Sequence, residues 1–293
     1  MTRAAIRSAP DTVGTLFAEG VRRLQEMLRS DPNATPELDA QLLLAHALRI
    51  ARTCVYSHPE QLAQEPAAQR FRALIARRAA GEPVAYLLER KAFWTFELAV
   101  SPAVLVPRPE TELLVERALA VRPEACASVV DLGTGSGAVA LALAHERPGW
   151  QVSATDISSE ALSVARANAR ALGLERVAFA QGSWFAALPP RRFDLVVSNP
   201  PYVAAGDVAL AALAHEPQRA LAAGADALAC LREIIDAAPP FLAAGGWLLL
   251  EHGAEQGSEV AGALRACGFV TVRTHRDLAG HERVTEGQWP AIR

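Results

Sequence analysis

Cysteine is scarce in this chain. The four residues present, Cys54, Cys126, Cys230 and Cys267, are far apart in a sequence of 293 residues and form no CxxC pair. That spacing argues against a disulfide framework or a thiolate metal site, and it predicts small core residues in a thiol-reducing cytoplasm. The seven histidines, including His46, His58, His145, His252 and His281, contain no HExxH or similar ligand spacing, so no metal is expected. No apolar run approaches about 18 residues, which argues against a membrane-spanning helix. Arg3 and Arg7 have no apolar stretch behind them, so the N-terminus does not read as a secretory signal. A basic stripe is missing as well. The formal net charge is −3 with Lys and Arg scattered, whereas a protein that grips nucleic acid usually shows a basic face. Aromatics are few, and internal repeats and low-complexity tracts are absent.

What is abundant is alanine, within a chain that is 51% hydrophobic. Such a composition predicts a helix-rich soluble protein with a substantial core, and the length favours a main domain with a smaller companion. Residues 11–80 read as helices. Leu16, Phe17, Val21, Leu24 and Leu28 recur at helical spacing, Pro32 and Pro36 interrupt, and Leu38, Leu42, Leu43, Ala45, Ala47 and Leu48 resume it. Phe71, Leu74 and Ile75 mark another helix that closes near Gly81 and Pro83. No cluster of acids, bases or nucleophiles stands out there, so this part either recognises a partner or stabilises its neighbour. The expected division is a helical domain at 1–80, a linker with a strand pair at 81–112 and the main domain at 113–293.

In the linker, Phe93, Trp94, Phe96, Leu98 and Val100 suggest the strand pair. Pro107-Arg108-Pro109-Glu110-Thr111-Glu112 reads as a helix start, although two prolines hold Arg108 more stiffly than a helix start requires. Ser128-Val129-Val130-Asp131-Leu132 then has the look of a buried strand. It runs into Gly133-Thr134-Gly135-Ser136-Gly137, and Ala138, Val139, Leu141, Ala142 and Leu143 begin a helix. A strand, a glycine loop and a helix start in that order suit a nucleotide, because glycines permit the tight turn and let backbone N–H groups come close to a ligand. Asp156 ends the next strand, residues 152–155, about 20 residues beyond the loop, where a carboxylate can accept ribose hydroxyls. The loop alone also fits a nicotinamide or flavin site. Gly137, giving GxGxG after the acidic strand residue, and the turn described next favour S-adenosyl-L-methionine.

That turn is Ser198-Asn199-Pro200-Pro201-Tyr202, which follows the apolar run Leu195, Val196, Val197. Neither proline donates a backbone hydrogen bond, and each pushes the residue before it towards extended geometry, so Asn199 should sit in a stiff corner at a strand's carboxyl end. Ligands bind at that edge of an open α/β sheet. The Asn199 side-chain oxygen and the Pro200 carbonyl offer two acceptors to a planar NH2 group, and the Tyr202 ring can close one face of it. By itself Asn-Pro-Pro also reads as a mere rigid turn. Trp184, just past a strand at 176–181, is either a core plug or a wall against an adenine ring. Further strands are expected at 247–250, 269–273 and 284–289, the last two forming a hairpin.

NPPY after such a strand resembles the signature of methyltransferases acting on planar nitrogens. Taken with PVAYLL, PRPETE, DLGTGSG, GSWF, HEP, LLLEHG and ERVTEGQW in order from Gly81 onwards, the chain is similar to the peptide chain release factor glutamine methyltransferases, the HemK/PrmC family. The resemblance implies a Rossmann-like, seven-stranded class I methyltransferase domain with a small N-terminal helical domain. It implies S-adenosyl-L-methionine held by Gly133, Thr134, Gly135, Ser136, Gly137, Asp156, Trp184 and Asn199, and a substrate glutamine held by Asn199, Pro200, Pro201 and Tyr202, of which Asn199, Pro200 and Tyr202 are the catalytic set. The implied reaction is N5-methylation of the glutamine in the GGQ motif of class 1 peptide chain release factors by a cytoplasmic monomer. Two positions depart from the family pattern: Glu89 stands where glycine is expected after PVAYLL, and Ala214 precedes His215-Glu216-Pro217 where arginine is common. An adenine-N6 methyltransferase acting on DNA or RNA is the competing reading, since NPPY serves that chemistry too, and a cofactor-binding scaffold without catalysis is a third.

Overall fold

A computed structural model describes residues 10–29, 34–207, 210 and 213–291; Arg3, Arg7 and Pro32 lie outside them. The chain divides into two compact units, Met1–Glu89 and Arg90–Arg293. The stretch 81–112 is shared between them, with 81–89 in the first unit and 90–112 in the second.

The first unit is helical: α1 (Val13–Met27), α2 (Pro36–Leu48), α3 (Cys54–Ser57), α4 (Glu65–Ala79) and α5 (Val84–Leu88). α1 begins where Thr12 and Thr15 cap each other. The Thr15 N–H donates to Thr12 Oγ1 at 3.2 Å and the Thr12 N–H to Thr15 Oγ1 at 2.9 Å, so two donors that the helix itself leaves open are satisfied. Leu16 and Leu24 of α1, Leu43 and Leu44 of α2 and Phe71 and Ile75 of α4 form its core. Gly20 lies against α4, where a Cβ would be 2.6 Å from Phe71 Cζ, so its lack of a side chain sets how closely these helices pack. Leu38, read above as part of the apolar stripe of α2, is instead 41% exposed. The inward position of that first turn belongs to Asp39, whose carboxylate meets Arg78 Nε at 2.8 Å and Thr35 Oγ1 at 2.9 Å.

The second unit opens with the antiparallel hairpin β1 (Arg90–Phe93) and β2 (Phe96–Ala99), followed after a 3-10 turn by α6 (Glu112–Val121). Then come β3 (Ser128–Leu132), α7 (Ala138–Glu146), β4 (Gln151–Asp156), α8 (Ser159–Ala171), β5 (Ala178–Gln181), β6 (Phe193–Ser198), β7 (Leu242–Glu251), β8 (Val270–Arg276) and β9 (Glu282–Gln288). Helices Ala229–Ala237 and Gly257–Cys267 flank β7 in sequence. The sheet is seven-stranded in the order β5-β4-β3-β6-β7-β9-β8, with β3 to β7 parallel and β9 antiparallel to both neighbours. This is the mixed α/β class I methyltransferase architecture that the motifs imply.

Alternate residues of the central strands feed two cores. Val129, Leu195, Val197 and Leu249 join α6, α7 and the hairpin residues Phe93 and Leu98, whereas Val130, Val196, Leu248 and Leu250 join the helices Ala229–Ala237 and Gly257–Cys267. β7 starts well before the expected 247, because its backbone bulges through Gly245 and Gly246 between the pairings Phe193↔Leu242 and Leu195↔Trp247. The hairpin is tied down by Asn168 of α8. Its side chain accepts from the Ala99 N–H at 2.7 Å and donates to the carbonyls of Ala99 at 3.0 Å and Ser136 at 2.9 Å, linking β2 to the glycine loop.

The cysteines depart from the expectation of core residues. All four are free; Cys126 is exposed and the other three are partly buried. They occupy loops and helix ends, where packing is incomplete: Cys126 precedes β3, Cys54 starts α3 and Cys267 ends its helix.

Candidate active site

The carboxyl ends of β4, β3, β6 and β7 lie side by side in the sheet, and each delivers one piece of the site. From β3 the chain turns through Gly133, Gly135 and Gly137 at φ of 73°, 56° and 86°, a region that L side chains enter only with strain. A Cβ on Gly133 would lie 3.3 Å from the Trp184 ring, and one on Gly137 would lie 3.0 Å from Leu141 Cδ1, whereas Gly135 faces open space. Thus two glycines serve packing and the middle one is free for a ligand. Asp131, beneath the loop, accepts from Thr134 Oγ1 at 2.6 Å and from the Ala140 N–H at 3.2 Å. Burial pushes its carboxyl up to about 6 against those two bonds. Sequence reasoning treated Asp131 only as the acidic residue that marks the loop type. The structure makes it both the loop's anchor and part of the cavity wall.

Asp156 ends β4 and holds two turns at once. Its Oδ2 accepts from the Gly135 N–H and its Oδ1 from the Ser158 N–H, both at 2.9 Å. Each oxygen keeps a lone pair for a further donor. Trp184 has φ of 43°, and its carbonyl accepts from Thr155 Oγ1 at 3.1 Å. Its ring packs against the second core and also lines the cavity, a core plug that reaches the cavity's edge.

At the end of β6, Ser198 is buried and donates to the Leu132 carbonyl at 2.7 Å, fixing this strand's tip to the start of the glycine loop. Asn199 follows. Its Nδ2 donates to Thr111 Oγ1 at 3.1 Å, across 88 residues of sequence. Among the described residues no hydrogen-bond donor meets Asn199 Oδ1, and no backbone N–H donates to the Pro200 carbonyl. Tyr202 is half-buried against the second core, and burial followed by the nearby Glu251 pushes its phenol up to about 12. Its carbonyl accepts from Gln256 Nε2 at 3.1 Å, which ties the corner to the loop after β7.

These pieces surround a cavity of about 370 Å³, within the range of small-molecule sites. Gly133, Thr134, Gly135, Ser136, Asp156, Trp184, Asn199 and Pro201 all line it, whereas Gly137, Pro200 and Tyr202 do not. Gly137 stands at the N-terminus of α7, behind the loop. Arg108 and Thr111 of PRPETE line it too. Arg108 pairs with Glu216 of HEP, and the buried Glu216 also accepts from the Val106 N–H at 3.1 Å, so the two motifs are clasped together. Ala214 lies on an exposed turn just before that clasp. Glu251 at the tip of β7 is buried and is not among the residues that line the cavity.

Known proteins resemble this chain over most of its length. A release factor glutamine methyltransferase of Xylella fastidiosa is 49% identical over 258 residues, covering 87% of this chain and 94% of its own. One of Pseudomonas aeruginosa is 49% identical over 264 residues, covering 89% and 95%. The chain belongs to the release factor glutamine methyltransferase family. Family models for the PrmC N-terminal domain and the methyltransferase small domain match this family member at residues 19–88 and 109–273. Among solved structures, a methyltransferase from Pyrococcus furiosus superimposes with a TM-score of 0.53 at 18% identity, covering 74% of this chain and 98% of its own, which bears on the fold alone. No group of His, Cys, Asp and Glu able to hold a metal ion occurs among the described residues, and none of their helices is long and apolar enough to cross a membrane.

Proposed function

We propose that this chain transfers a methyl group from S-adenosyl-L-methionine to the side-chain amide nitrogen, N5, of the glutamine in the GGQ motif of class 1 peptide chain release factors. The observation that carries the reading is one cavity wall formed jointly by the glycine loop, Asp156 and Asn199. The residues fit the cofactor. Gly135 leaves open space above its backbone, Asp156 keeps lone pairs for two hydroxyls, and the Trp184 ring offers a flat apolar wall. Bound there, S-adenosyl-L-methionine supplies an electrophilic methyl group on a positively charged sulfur.

The rest of the work falls to the chain. An amide nitrogen is a weak nucleophile because its lone pair is delocalised into its carbonyl, and its protons are too weakly acidic for a side-chain base to remove first. Asn199 Oδ1 and the Pro200 carbonyl accept those two protons, raise electron density on nitrogen and align it for in-line attack, so positioning and electrostatics carry the catalysis. Tyr202 closes one face of the amide. After transfer the nitrogen is strongly acidic and loses a proton to solvent. We assign substrate recognition to the helical unit, and the monomeric state and the cytoplasm as its setting, the latter in keeping with four free cysteines.

Tritiated cofactor offered with purified release factor and with nucleic acid in parallel tests the reading. Label on the GGQ peptide, located by mass spectrometry, is the expected result. Label on nucleic acid alone, or on neither, overturns it. The net charge of −3 and the names of the relatives favour the protein substrate over adenine.

A further inference from the structure

We infer that Gln256 is a positioning residue for the methyl transfer, because its side-chain amide fixes the main chain that carries the Pro200 carbonyl. The inference rests on the proposed function, in which that carbonyl accepts a proton of the substrate amide, and it names what holds the acceptor in line.

Pro200 and Pro201 have no N–H with which to anchor themselves, and their rings lock φ near about −65°. The corner from Asn199 to Tyr202 therefore moves as one stiff piece, and its two ends decide where the Pro200 carbonyl points. The upstream end is set by β6, where Ser198 pairs with Leu132 of β3 and Leu250 of β7 and its hydroxyl donates to the Leu132 carbonyl at 2.7 Å. At the downstream end Gln256 Nε2 donates to the Tyr202 carbonyl at 3.1 Å, and the next residue, Val203, donates its N–H to the Leu221 carbonyl at 3.1 Å.

The Gln256 amide is itself held one way round. Its Oε1 accepts from the Gly253 N–H at 2.9 Å, and its own backbone N–H donates to the Gly253 carbonyl at 3.0 Å, so the turn after β7 closes on itself. A backbone N–H can only donate and a carbonyl can only accept, so these partners leave a single orientation, oxygen to Gly253 and NH2 to Tyr202. The glycine matters to the fit: a Cβ at 253 would lie 3.1 Å from Gln256 Oε1 and 3.3 Å from its Cδ. The Gly253 carbonyl also meets His252 Nδ1 at 2.9 Å, and His252 is fully buried with its Nε2 2.8 Å from Thr285 Oγ1. The turn that aims Gln256 is thus fastened to β9.

Service to its own helix does not explain Gln256. It precedes Gly257–Cys267 as the N-cap, yet its side chain makes no capping hydrogen bond, and Ser, Thr, Asp and Asn are the residues that cap well. Both polar atoms of the amide are engaged by the turn and by the Tyr202 carbonyl instead.

The test uses the full chain, tritiated S-adenosyl-L-methionine and purified release factor. Label transferred by the wild-type chain comes first; its absence refutes the proposed function, whereas a variant that matches wild type refutes this inference alone. Gln256→Glu keeps the length and the acceptor for Gly253 but turns a carboxylate, which has no proton to give, on the Tyr202 carbonyl. Its kcat should fall by about tenfold to a hundredfold, the effect of a misaligned acceptor, with cofactor affinity by calorimetry and KM for release factor near wild type. Gln256→Met, neutral and of similar length, should show the same split. A role confined to the turn predicts near-normal kcat in Gln256→Glu, because the bond to Gly253 survives. That result overturns the positioning role, as does a loss that appears in cofactor affinity or KM with kcat unchanged. Should Gln256→Glu fail to fold, Gln256→Met decides: a lowered kcat with unchanged affinities supports the role, and wild-type turnover refutes it.

Discussion

Under the proposed function, Asn199 and Asp156 divide catalysis and cofactor binding between them. Removing the Asn199 side chain takes away an acceptor aimed at the transition state but no contact with the glycine loop. Asn199→Ala should therefore lower kcat by about 10²–10³-fold with a much smaller change in cofactor affinity. Near-normal turnover would remove the acceptor model. Asp156 has the reverse profile. It accepts from two backbone N–H groups and keeps lone pairs for hydroxyls, so Asp156→Ala both removes a ligand contact and frees the Gly135 turn. Its expected effect is a cofactor dissociation constant raised by about tenfold to a hundredfold, equivalent to roughly 1.4–2.8 kcal/mol. Calorimetry showing unchanged affinity would contradict the role. Asn199, Pro200 and Asp156 were legible from the sequence because their chemistry sits in short motifs. Thr111 was not, since its partner is 88 residues away and PETE reads equally well as a helix start.

Among the elements, the end of α5 tests the departure from the family pattern at Glu89. This residue is the helix's C-cap at φ of 58° and ψ of 19°, in the left-handed region. Glycine enters that region without the Cβ penalty, so Glu89→Gly relieves strain and forfeits only some unfolded-state entropy. A gain of about 0.5–1 kcal/mol in urea unfolding of the helical unit is expected, and a loss would show that the Glu89 side chain matters more than its backbone. A second element contact joins α6 to β9, where the Arg117 guanidinium meets the buried Glu286 carboxylate at 3.1 Å and 3.2 Å. Arg117→Ala strands that carboxylate in the interior and should cost about 3–5 kcal/mol; a variant as stable as wild type would mean that water or His275 compensates. Most elements could be read from periodicity. The early start of β7 was hidden by Gly245 and Gly246, residues that weaken a strand pattern even where the sheet tolerates them as a bulge.

At the scale of the molecule, pH enters through two buried carboxyls. Asp131 is raised from 3.8 to about 6 and Glu251 from 4.5 to about 7, both chiefly by burial. A carboxyl whose pKa is higher folded than unfolded holds its proton more tightly in the native state. Its contribution is most favourable below the unfolded value and declines as pH rises through the folded one. The methyltransferase unit should therefore lose stability between about pH 4 and pH 7 by up to about 3 kcal/mol per group, a slope visible in urea midpoints. Asp131→Asn should flatten the lower part of it. A midpoint that rises steadily over that interval, with Asp131→Asn no different, would show these groups to be ionised at ordinary values. On this account the fold carries two buried acids at some expense to its stability, and one of them, Asp131, orders the glycine loop.

The sequence alone determined the architecture and the chemistry of the central loop, because buried parallel strands, glycine turns and a double proline each leave a local mark. It also singled out Asn199 as the proposed acceptor, since few residues besides Asn, followed by two prolines, place two oxygens so rigidly. Only the tertiary structure decided which way that amide faces. Its Nδ2 donates to Thr111 Oγ1, which reaches it from a helix start 88 residues away. Hydrogen-bond orientation depends on groups that converge in space, and nothing in the order of residues along the chain encodes that convergence.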